Sequence, residues 1–146
     1  MADQDAPAAG FSDIKSIGVI GAGQMGTGIA HVCSLAGYEV KLSDISEEAA
    51  AKATDIIAKN MDRQVRREMI SEADKAAALK RISTGTGLEM FGDSDIVIEA
   101  ATENEEAKRT IFKALCPVLK PTALLCSNTS SISITRLASV TDRPAK

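Results

Sequence analysis

Short apolar runs alternate with longer amphipathic stretches along most of this 146-residue chain. Apolar and β-branched residues that occupy a few consecutive or alternating positions are typical of buried strands. This pattern predicts strands at residues 17–20, 38–42, 81–84, 95–100 and 123–126. The stretches between them are rich in helix formers and place apolar residues at intervals of three and four, which is the spacing of one helix face.

Capping residues and punctuating glycines delimit the predicted helices. The first helix begins near Gln24 and ends at Gly37, and its expected buried face carries Met25, Ile29, Val32, Cys33 and Leu35. Ser46 is a suitable N-cap for the second helix, and Ser71 with Asp74 forms a capping box for the third. The later helices are predicted at residues 103–115 and 134–140.

Strands that alternate with helices in this way indicate an α/β fold of the Rossmann type, doubly wound, with a mostly parallel sheet and helices on both faces. We expect one such domain over residues 14–146, preceded by a disordered lead-in at residues 1–13. Ligands of doubly wound sheets bind at the carboxyl ends of the strands. That rule directs attention to residues 21–26, 99–103 and 128–131.

A glycine-rich turn, Gly21-x-Gly23-x-x-Gly26, directly follows the first predicted strand. In a dinucleotide-binding turn the first glycine permits the tight bend, and the second lets the pyrophosphate approach the backbone. The third allows the helix to pack closely on the strands, and the helix that begins near Gln24 directs its free N–H groups at the phosphates. An incidental glycine turn is the alternative for an isolated motif.

Asp44 ends the second predicted strand, eighteen residues after Gly26. An acidic residue about 20 residues beyond the glycines accepts hydrogen bonds from the ribose hydroxyls of the cofactor. Its charge repels a 2′-phosphate, and no basic residue follows it directly, so the sequence favours NAD over NADP. Strand, glycines, helix, second strand and acidic end together favour dinucleotide binding over an incidental turn.

Composition excludes several other classes of protein. The net charge of −3 and an aromatic content of 3% argue against nucleic-acid binding. No apolar run approaches the length that crosses a membrane. Three scattered cysteines without CxxC or Cys/His clusters indicate neither a disulfide framework nor a metal site. They are expected to be buried free thiols, which favours a cytoplasmic protein.

Four consecutive polar residues, Asn128 to Ser131, follow the fifth predicted strand. One interpretation is an N-cap cluster for the last helix, although Ser133 is also free to cap it. The other places Asn128 near the nicotinamide ribose and Ser130 on a substrate oxygen. With no histidine or lysine nearby in sequence, Ser130 does not indicate a serine hydrolase.

The remaining polar candidates allow two interpretations each. Glu103 and Lys108 are either surface charges or contacts to a cofactor at this edge of the sheet. A basic cluster on the second helix is either a solvated helix end or a contact to a phosphorylated ligand; it comprises Lys59, Arg63, Arg66 and Arg67. His31, the single histidine, lies two turns into the first helix, where a structural role is expected rather than a general base.

Several segments resemble the 3-hydroxyacyl-CoA dehydrogenase family, and its bacterial 3-hydroxybutyryl-CoA members most. The most specific are DIVIEAATENEEAK at residues 95–108 and SNTSSISITRLASVTDRP at residues 127–144. IGVIGAGQMGTGIA (17–30), AGYEV (36–40) and SDIS (43–46) complete the similarity, which extends from about Ile14 to the C-terminus.

The resemblance implies an NAD-dependent enzyme of fatty acid and butanoate metabolism. Such an enzyme oxidises (S)-3-hydroxyacyl-CoA by passing the C3 hydride to NAD, and the full-length family is dimeric. It implies that Ser130 holds the substrate oxygen and, by a looser local match, that Asn60 and Arg67 contact CoA. The implied cofactor contacts are Gly21, Gly23, Gln24, Met25, Gly26, Asp44, Ala100, Glu103, Lys108 and Asn128.

One departure from the family pattern concerns the base. The family's catalytic histidine lies in an HFxNP motif shortly after the TxRP segment, with a partner glutamate beyond it, and this sequence ends at Lys146 before that motif. The family's helical C-terminal domain also lies outside it. We therefore expect NAD(H) binding without efficient turnover. The alternatives are a non-catalytic NAD-sensing or scaffold module, and another dehydrogenase of the 3-hydroxyisobutyrate or 6-phosphogluconate type.

Overall fold

The computed structural model describes residues 11–146. Most of the predicted lead-in, residues 1–10, lies outside the described residues, and Phe11–Asp13 forms a short 3₁₀ turn. Five strands follow in one sheet: β1 (Ser16–Ile20), β2 (Glu39–Ser43), β3 (Ile82–Gly85), β4 (Ile96–Glu99) and β5 (Leu124–Ser127). The helices are α1 (Gln24–Leu35), α2 (Glu47–Arg66), α3 (Glu72–Lys80), α4 (Glu105–Leu115) and α5 (Ile134–Ala138).

The strand order is β3-β2-β1-β4-β5, and every neighbouring pair is parallel. The order reverses between β1 and β4, so the helices that follow these two strands leave the sheet on opposite sides. This confirms the predicted Rossmann-type fold. It also creates a crevice at the carboxyl ends of β1 and β4, where doubly wound folds bind their ligands.

Successive side chains along each strand point to opposite faces of the sheet, and a hydrophobic core forms on each face. One face of the sheet packs Val19, Val40 and Leu42 against Ile57 and Met61 of α2, all of them fully buried or nearly so. The other face packs a second cluster that comprises Ile20, Phe91, Val97, Leu115, Leu119 and Ala123. Both faces are therefore covered, as the continuous apolar runs of a parallel sheet require.

The predicted buried face of α1 is wrong for Met25 and Val32. Met25 and Val32 are 56% and 62% exposed, and Ile29, Cys33 and Leu35 are only half-buried. The buried residues are small ones, namely Gly26, Thr27, Ala30 and Ser34. The helix lies so close to the strands that large side chains do not fit between them, and the apolar residues flank this contact instead.

The predicted caps agree with the structure. The Oγ of Ser46 accepts a hydrogen bond from Ala49 N at 3.1 Å, and Ser71 and Asp74 form the reciprocal capping box. Asn104, which falls inside the helix predicted at residues 103–115, is the N-cap of α4. Ser133 caps α5, so the interpretation of residues 128–131 as the N-cap cluster of that helix is wrong.

Arg143 holds the C-terminal segment against the end of α4. Its side chain is almost fully buried, and its guanidinium donates to the carbonyl oxygens of Lys120 at 2.6 Å and Leu119 at 3.2 Å. The same group pairs with the carboxylate of Asp142. These bonds satisfy carbonyl oxygens in the turn that follows the helix and fix the C-terminal segment against it.

Asp95 joins the amino ends of β1 and β4. Its Oδ2 accepts from the backbone N–H groups of Lys15 at 2.7 Å and Ser16 at 2.9 Å, and its Oδ1 contacts the ammonium of Lys120. Burial raises the pKa of this carboxyl, but the hydrogen bonds and the charge of Lys120 outweigh burial, so the pKa lies below its ordinary value of 3.8.

The free energy of unfolding should therefore fall in acid partly because of Asp95. A carboxyl whose folded pKa is depressed stabilises the fold above its ordinary pKa, and this stabilisation is lost as the pH falls through 3.8 towards the lower folded pKa. Urea unfolding at a series of pH values should give a shallower acid slope for Asp95→Asn. Asp55→Asn, on the exposed face of α2, is the control; equal slopes for Asp95→Asn and the unsubstituted chain would contradict the prediction.

Candidate functional site

The structure brings the three stretches indicated by the sequence to one edge of the sheet. Gly21 N donates to Ser43 O at 2.7 Å, which places the glycine turn beside the end of β2. Ala100 N donates to Ile20 O at 2.8 Å, and Asn128 N donates to Glu99 O at 2.7 Å. The segments that follow β1, β2, β4 and β5 therefore form one continuous crevice.

Two of the three motif glycines hold the backbone together. Gly21 has a φ of +105°, and a Cβ on it would lie 2.6 Å from the carbonyl oxygen of Ala100. A Cβ on Gly26 would lie 1.7 Å from the carbonyl oxygen of Gly21, well inside any contact distance. The turn and the helix thus touch main chain to main chain, and neither contact leaves room for a side chain.

Gly23 differs from the other two, because a Cβ there would meet nothing within 4 Å. It is the N-cap residue of the twelve-residue helix α1 and supplies no side-chain cap, so the first N–H groups of that helix face open space. Such a helix terminus attracts an anion. Gln24 and Met25 are exposed beside it, so the turn can accommodate a pyrophosphate at this point.

Asp44 borders a cavity of about 490 Å³ on one side of the glycine turn. Its Oδ2 accepts from Ala22 N at 2.8 Å and its Oδ1 from Ser46 N at 2.9 Å, so two backbone N–H groups fix the carboxylate. The cavity is lined mainly by apolar side chains, among them Leu88 and Ile111, and Ile45 is 99% exposed at its edge. An apolar slot with a fixed carboxylate suits an adenine ring and its ribose.

A second cavity, of about 250 Å³, lies on the other side of the turn. Gly23, Met25, Ala100, Glu103 and Asn128 line it. Most of the predicted cofactor residues other than Asp44 therefore border this second cavity. Both cavities share the loop residues 101 and 102. A ligand with two ends joined by a pyrophosphate could therefore cross the glycine turn from one cavity to the other.

Glu103 ties the loop after β4 to the loop after β5. Its exposed carboxylate accepts hydrogen bonds from Thr129 Oγ1 at 3.1 Å and Ser131 Oγ at 3.3 Å. Ser130 lies between these two anchored residues and is exposed to solvent. No histidine lies near it, since His31 is on α1 with Nε2 at 2.8 Å from Gln64 Oε1 on α2.

Lys108 is not the surface ammonium that one interpretation proposed. Both Lys108 and Glu99 are fully buried, with Nζ 2.5 Å from Glu99 Oε1. Nζ also lies 3.3 Å from Ser127 Oγ. Sequence reasoning missed Glu99 as a partner; a charged residue at the end of an otherwise apolar strand is the signal that could have found it.

Of the two candidate CoA contacts, one lies in the C-terminal half of α2 and the other directly follows that helix, far from Ser130 along the chain. Asn60 is half-buried and lines a groove of about 490 Å³ with Gly23 and Lys52, whereas Arg67 is exposed just beyond the helix. The other members of the predicted basic cluster are exposed as well: Lys59, Arg63 and Arg66.

Other expected features concern cysteines, metals and membranes. Cys33 and Cys116 are half-buried, and burial raises the pKa of the Cys33 thiol. Cys126 is exposed on the edge strand β5, so the expectation of buried thiols is wrong for it. Within residues 11–146 no group of His, Cys, Asp and Glu could hold a metal ion, and none of the helices there is long and apolar enough to cross a membrane.

A parallel sheet of this order, with an anion-attracting glycine turn and a fixed aspartate at its switch point, defines a dinucleotide-binding domain of the Rossmann type. Residues 16–146 match the family model of the 3-hydroxyacyl-CoA dehydrogenase NAD-binding domain. The chain belongs to the 3-hydroxyacyl-CoA dehydrogenase family, whose cofactor is NAD, as the sequence resemblance predicted.

Individual relatives support this family. The chain is 53% identical to 3-hydroxybutyryl-CoA dehydrogenase of Bradyrhizobium diazoefficiens, over 91% of this chain and 45% of that protein. It is 41% identical to a probable 3-hydroxybutyryl-CoA dehydrogenase of Bacillus subtilis, over 92% of this chain and 47% of that protein. The crystal structure of (S)-3-hydroxybutyryl-CoA dehydrogenase from Ralstonia eutropha superposes with a TM-score of 0.87 at 45% identity, covering 90% of this chain and 46% of that one. The chain thus spans less than half the length of these relatives.

Proposed function

We propose that this chain binds NAD(H) as the cofactor domain of a cytoplasmic (S)-3-hydroxyacyl-CoA dehydrogenase that acts on 3-hydroxybutyryl-CoA. The observation that carries the proposal is the crevice itself. Gly23 leaves an open approach to the start of α1, and Asp44 stands fixed in a cavity on one side of it. These features fit a pyrophosphate and an unphosphorylated ribose.

Each predicted cofactor residue has a role in this proposal. The turn from Gly21 to Gly26, with Gln24 and Met25 at its rim, receives the pyrophosphate, and Asp44 accepts from the ribose hydroxyls. Ala100, Glu103 and Asn128 border the nicotinamide half, because they line the second cavity. Lys108 supports this half from behind the loop, since its ammonium is buried.

In the reaction of this family, bound NAD accepts the hydride that leaves substrate C3, and a base must take the hydroxyl proton. Ser130 is exposed at the rim of the nicotinamide half and is suited to hold the substrate oxygen. His31 is engaged with Gln64 between α1 and α2, so it is not placed to be that base. These 146 residues should therefore bind NAD(H) without efficient turnover.

The acyl-CoA substrate would extend along α2, with Asn60 in the groove beside Gly23 and Arg67 near the helix end. Exposed basic residues on the C-terminal half of α2 suit the phosphates of CoA. The proposal also includes the dimeric state that the resemblance implies for the full-length enzyme.

A fluorescence titration with NADH and NADPH tests the cofactor proposal. We expect saturable binding of NADH and affinity for NADPH that is lower by about tenfold or more, because the fixed carboxylate of Asp44 repels a 2′-phosphate. The absence of NADH binding would refute the proposal.

Activity measurements separate the alternatives. NADH formation from 3-hydroxybutyryl-CoA at the rate of an ordinary dehydrogenase would contradict the expected lack of turnover. Oxidation of a free hydroxy acid such as 3-hydroxyisobutyrate would favour the other dehydrogenase type. NADH binding without any turnover, even when a second domain of the family is supplied, would favour a sensing or scaffold module.

A further inference from the structure

A buried charged cluster lies directly behind the crevice. It consists of Glu99 at the end of β4, Lys108 in α4 and Ser127 at the end of β5. The two charged side chains are fully buried. Ser127 Oγ donates to Glu99 Oε1 at 2.7 Å and lies 3.3 Å from Lys108 Nζ. The cluster therefore joins three elements at the carboxyl edge of the sheet.

The desolvation free energy of a buried ion pair offsets much of the stability that the pair contributes to a fold. Removing both charges from water costs several kcal/mol per ion, and apolar residues of similar volume are often as stabilising or more so. The surrounding core shows that apolar packing is available here, since Phe112 and Leu115 of the same helix are buried. The charges at Glu99 and Lys108 therefore call for a role other than filling the core.

The second oxygen of Glu99 indicates that role. Its Oε2 accepts a hydrogen bond from Ala101 N at 2.7 Å, while Oε1 is held by Lys108 and Ser127. Residues 100–103, which we call the cofactor loop, line the second cavity of the crevice, and residues 101 and 102 also line the cavity beside Asp44. Without this carboxylate the N–H of Ala101 would lose its acceptor, and the cofactor loop would lose the bond that fixes its course after β4.

We propose that the buried cluster of Glu99, Lys108 and Ser127 is a positioning device that sets the cofactor loop for NAD(H). Lys108 orients Glu99, and Glu99 orients the loop. The cluster thus acts on cofactor affinity through the backbone of Ala101. This inference rests on the proposed function, because it assigns a role to residues behind the proposed NAD(H) site.

Two neutral double variants separate positioning from stability. Glu99→Leu with Lys108→Met removes both charges and the acceptor for Ala101 N–H. Glu99→Gln with Lys108→Met also removes both charges, but the glutamine carbonyl can still accept from that N–H. Asp62→Leu with Lys75→Met is the matched control, because it removes an ion pair between α2 and α3 that is remote from the crevice.

The measurements are NADH affinity by fluorescence, thermal stability, and the amide resonance and hydrogen exchange of Ala101. We expect the leucine–methionine variant to weaken NADH binding by about tenfold, the effect of losing one hydrogen bond to a charged group. Exchange of the Ala101 amide should accelerate in the same variant. The glutamine–methionine variant should keep most of the NADH affinity and most of the protection of the Ala101 amide. The control variant should change neither the affinity nor the exchange rate.

Several results would overturn the proposal. If both double variants lose affinity equally, or if affinity follows thermal stability in every variant, the cluster is only structural. If the leucine–methionine variant does not fold, Ser127→Ala decides. We expect NADH binding to weaken by about threefold, because Lys108 still holds Glu99 Oε1 and the lost bond acts on the loop only through that carboxylate; unchanged affinity would refute the inference. No NADH binding by the unsubstituted chain would remove the proposed function and this inference with it.

Discussion

Alanine at position 26 is expected to abolish NADH binding and to lower the free energy of unfolding by about 3 kcal/mol or more. The new Cβ would lie 1.7 Å from the carbonyl oxygen of Gly21 and 2.8 Å from its carbonyl carbon. Both are backbone atoms of the turn, so no side chain can rotate away. Relief requires α1 to move off β1, which would displace the N–H groups that face the pyrophosphate.

Gly28→Ala is the matched control for Gly26→Ala. Gly28 lies in the same helix, and a Cβ there would meet nothing within 4 Å. Alanine in a helix interior is favoured over glycine by roughly 0.5–1 kcal/mol, so this variant should be slightly more stable than the unsubstituted chain. Urea unfolding and NADH titration measure both variants. A Gly26→Ala protein with normal stability and affinity would contradict the close contact of the turn and the helix.

Asp44→Ala is expected to weaken NADH binding by about 100-fold or more, since hydrogen bonds from two ribose hydroxyls to a charged group contribute about 1.5–3 kcal/mol each. The same change removes the charge that would repel a 2′-phosphate. The variant should therefore bind NADH and NADPH with affinities within about threefold of each other, a difference in binding free energy of about RT. Parallel titrations with both nucleotides measure the ratio directly.

Two comparisons make the Asp44 result interpretable. Asp44 also accepts from the N–H groups of Ala22 and Ser46, so Asp44→Ala will lose some stability, and the ratio of the two affinities is more informative than either value. Asp55→Ala on the exposed face of α2 removes an equal charge without these contacts and should leave the ratio unchanged. If the Asp44→Ala variant kept the preference for NADH, residues other than Asp44 would have to discriminate NADH from NADPH.

The fold was predictable where the controlling interactions are local. The run from β1 through Gly21, Gly23 and Gly26 to α1 places glycines, helix start and second strand within about 30 residues, which is the size expected of this unit. Ser46 and Ser71 cap their helices through residues three positions away, so their role is visible in the sequence alone. The alternation of strands with helices along the chain then predicts the parallel sheet.

The errors arose where the partner is distant in sequence. The buried face of α1 depends on how closely that helix approaches the sheet, and the contact between Gly26 and Gly21 sets that distance. The spacing of hydrophobic residues along α1 does not indicate this distance, so it wrongly predicts that Met25 and Val32 are buried. Arg143 is a similar case, because its carbonyl acceptors come from a segment more than 20 residues earlier.

The candidate site was predictable in its location more than in its internal contacts. The rule that ligands bind at the carboxyl ends of parallel strands selected the segments that line the crevice. The same rule does not reveal whether a side chain points into the crevice or away from it. Lys108 points behind the cofactor loop towards Glu99, because strand parity places Glu99 and Ser127 on the face that α4 covers.

The crevice has one part that is built from backbone atoms, at the contact between Gly21 and Ala100, and another that is built from side chains at its rim. Backbone atoms set the closest approach between the glycine turn and the cofactor loop, because a Cβ on Gly21 would lie 2.6 Å from the carbonyl oxygen of Ala100. Recognition of the nucleotide's outer groups depends instead on side chains at the rim, such as Asp44 and the fully exposed Ile45. Redesign of cofactor specificity can therefore be confined to the rim, while the backbone part of the crevice is kept as a constant frame.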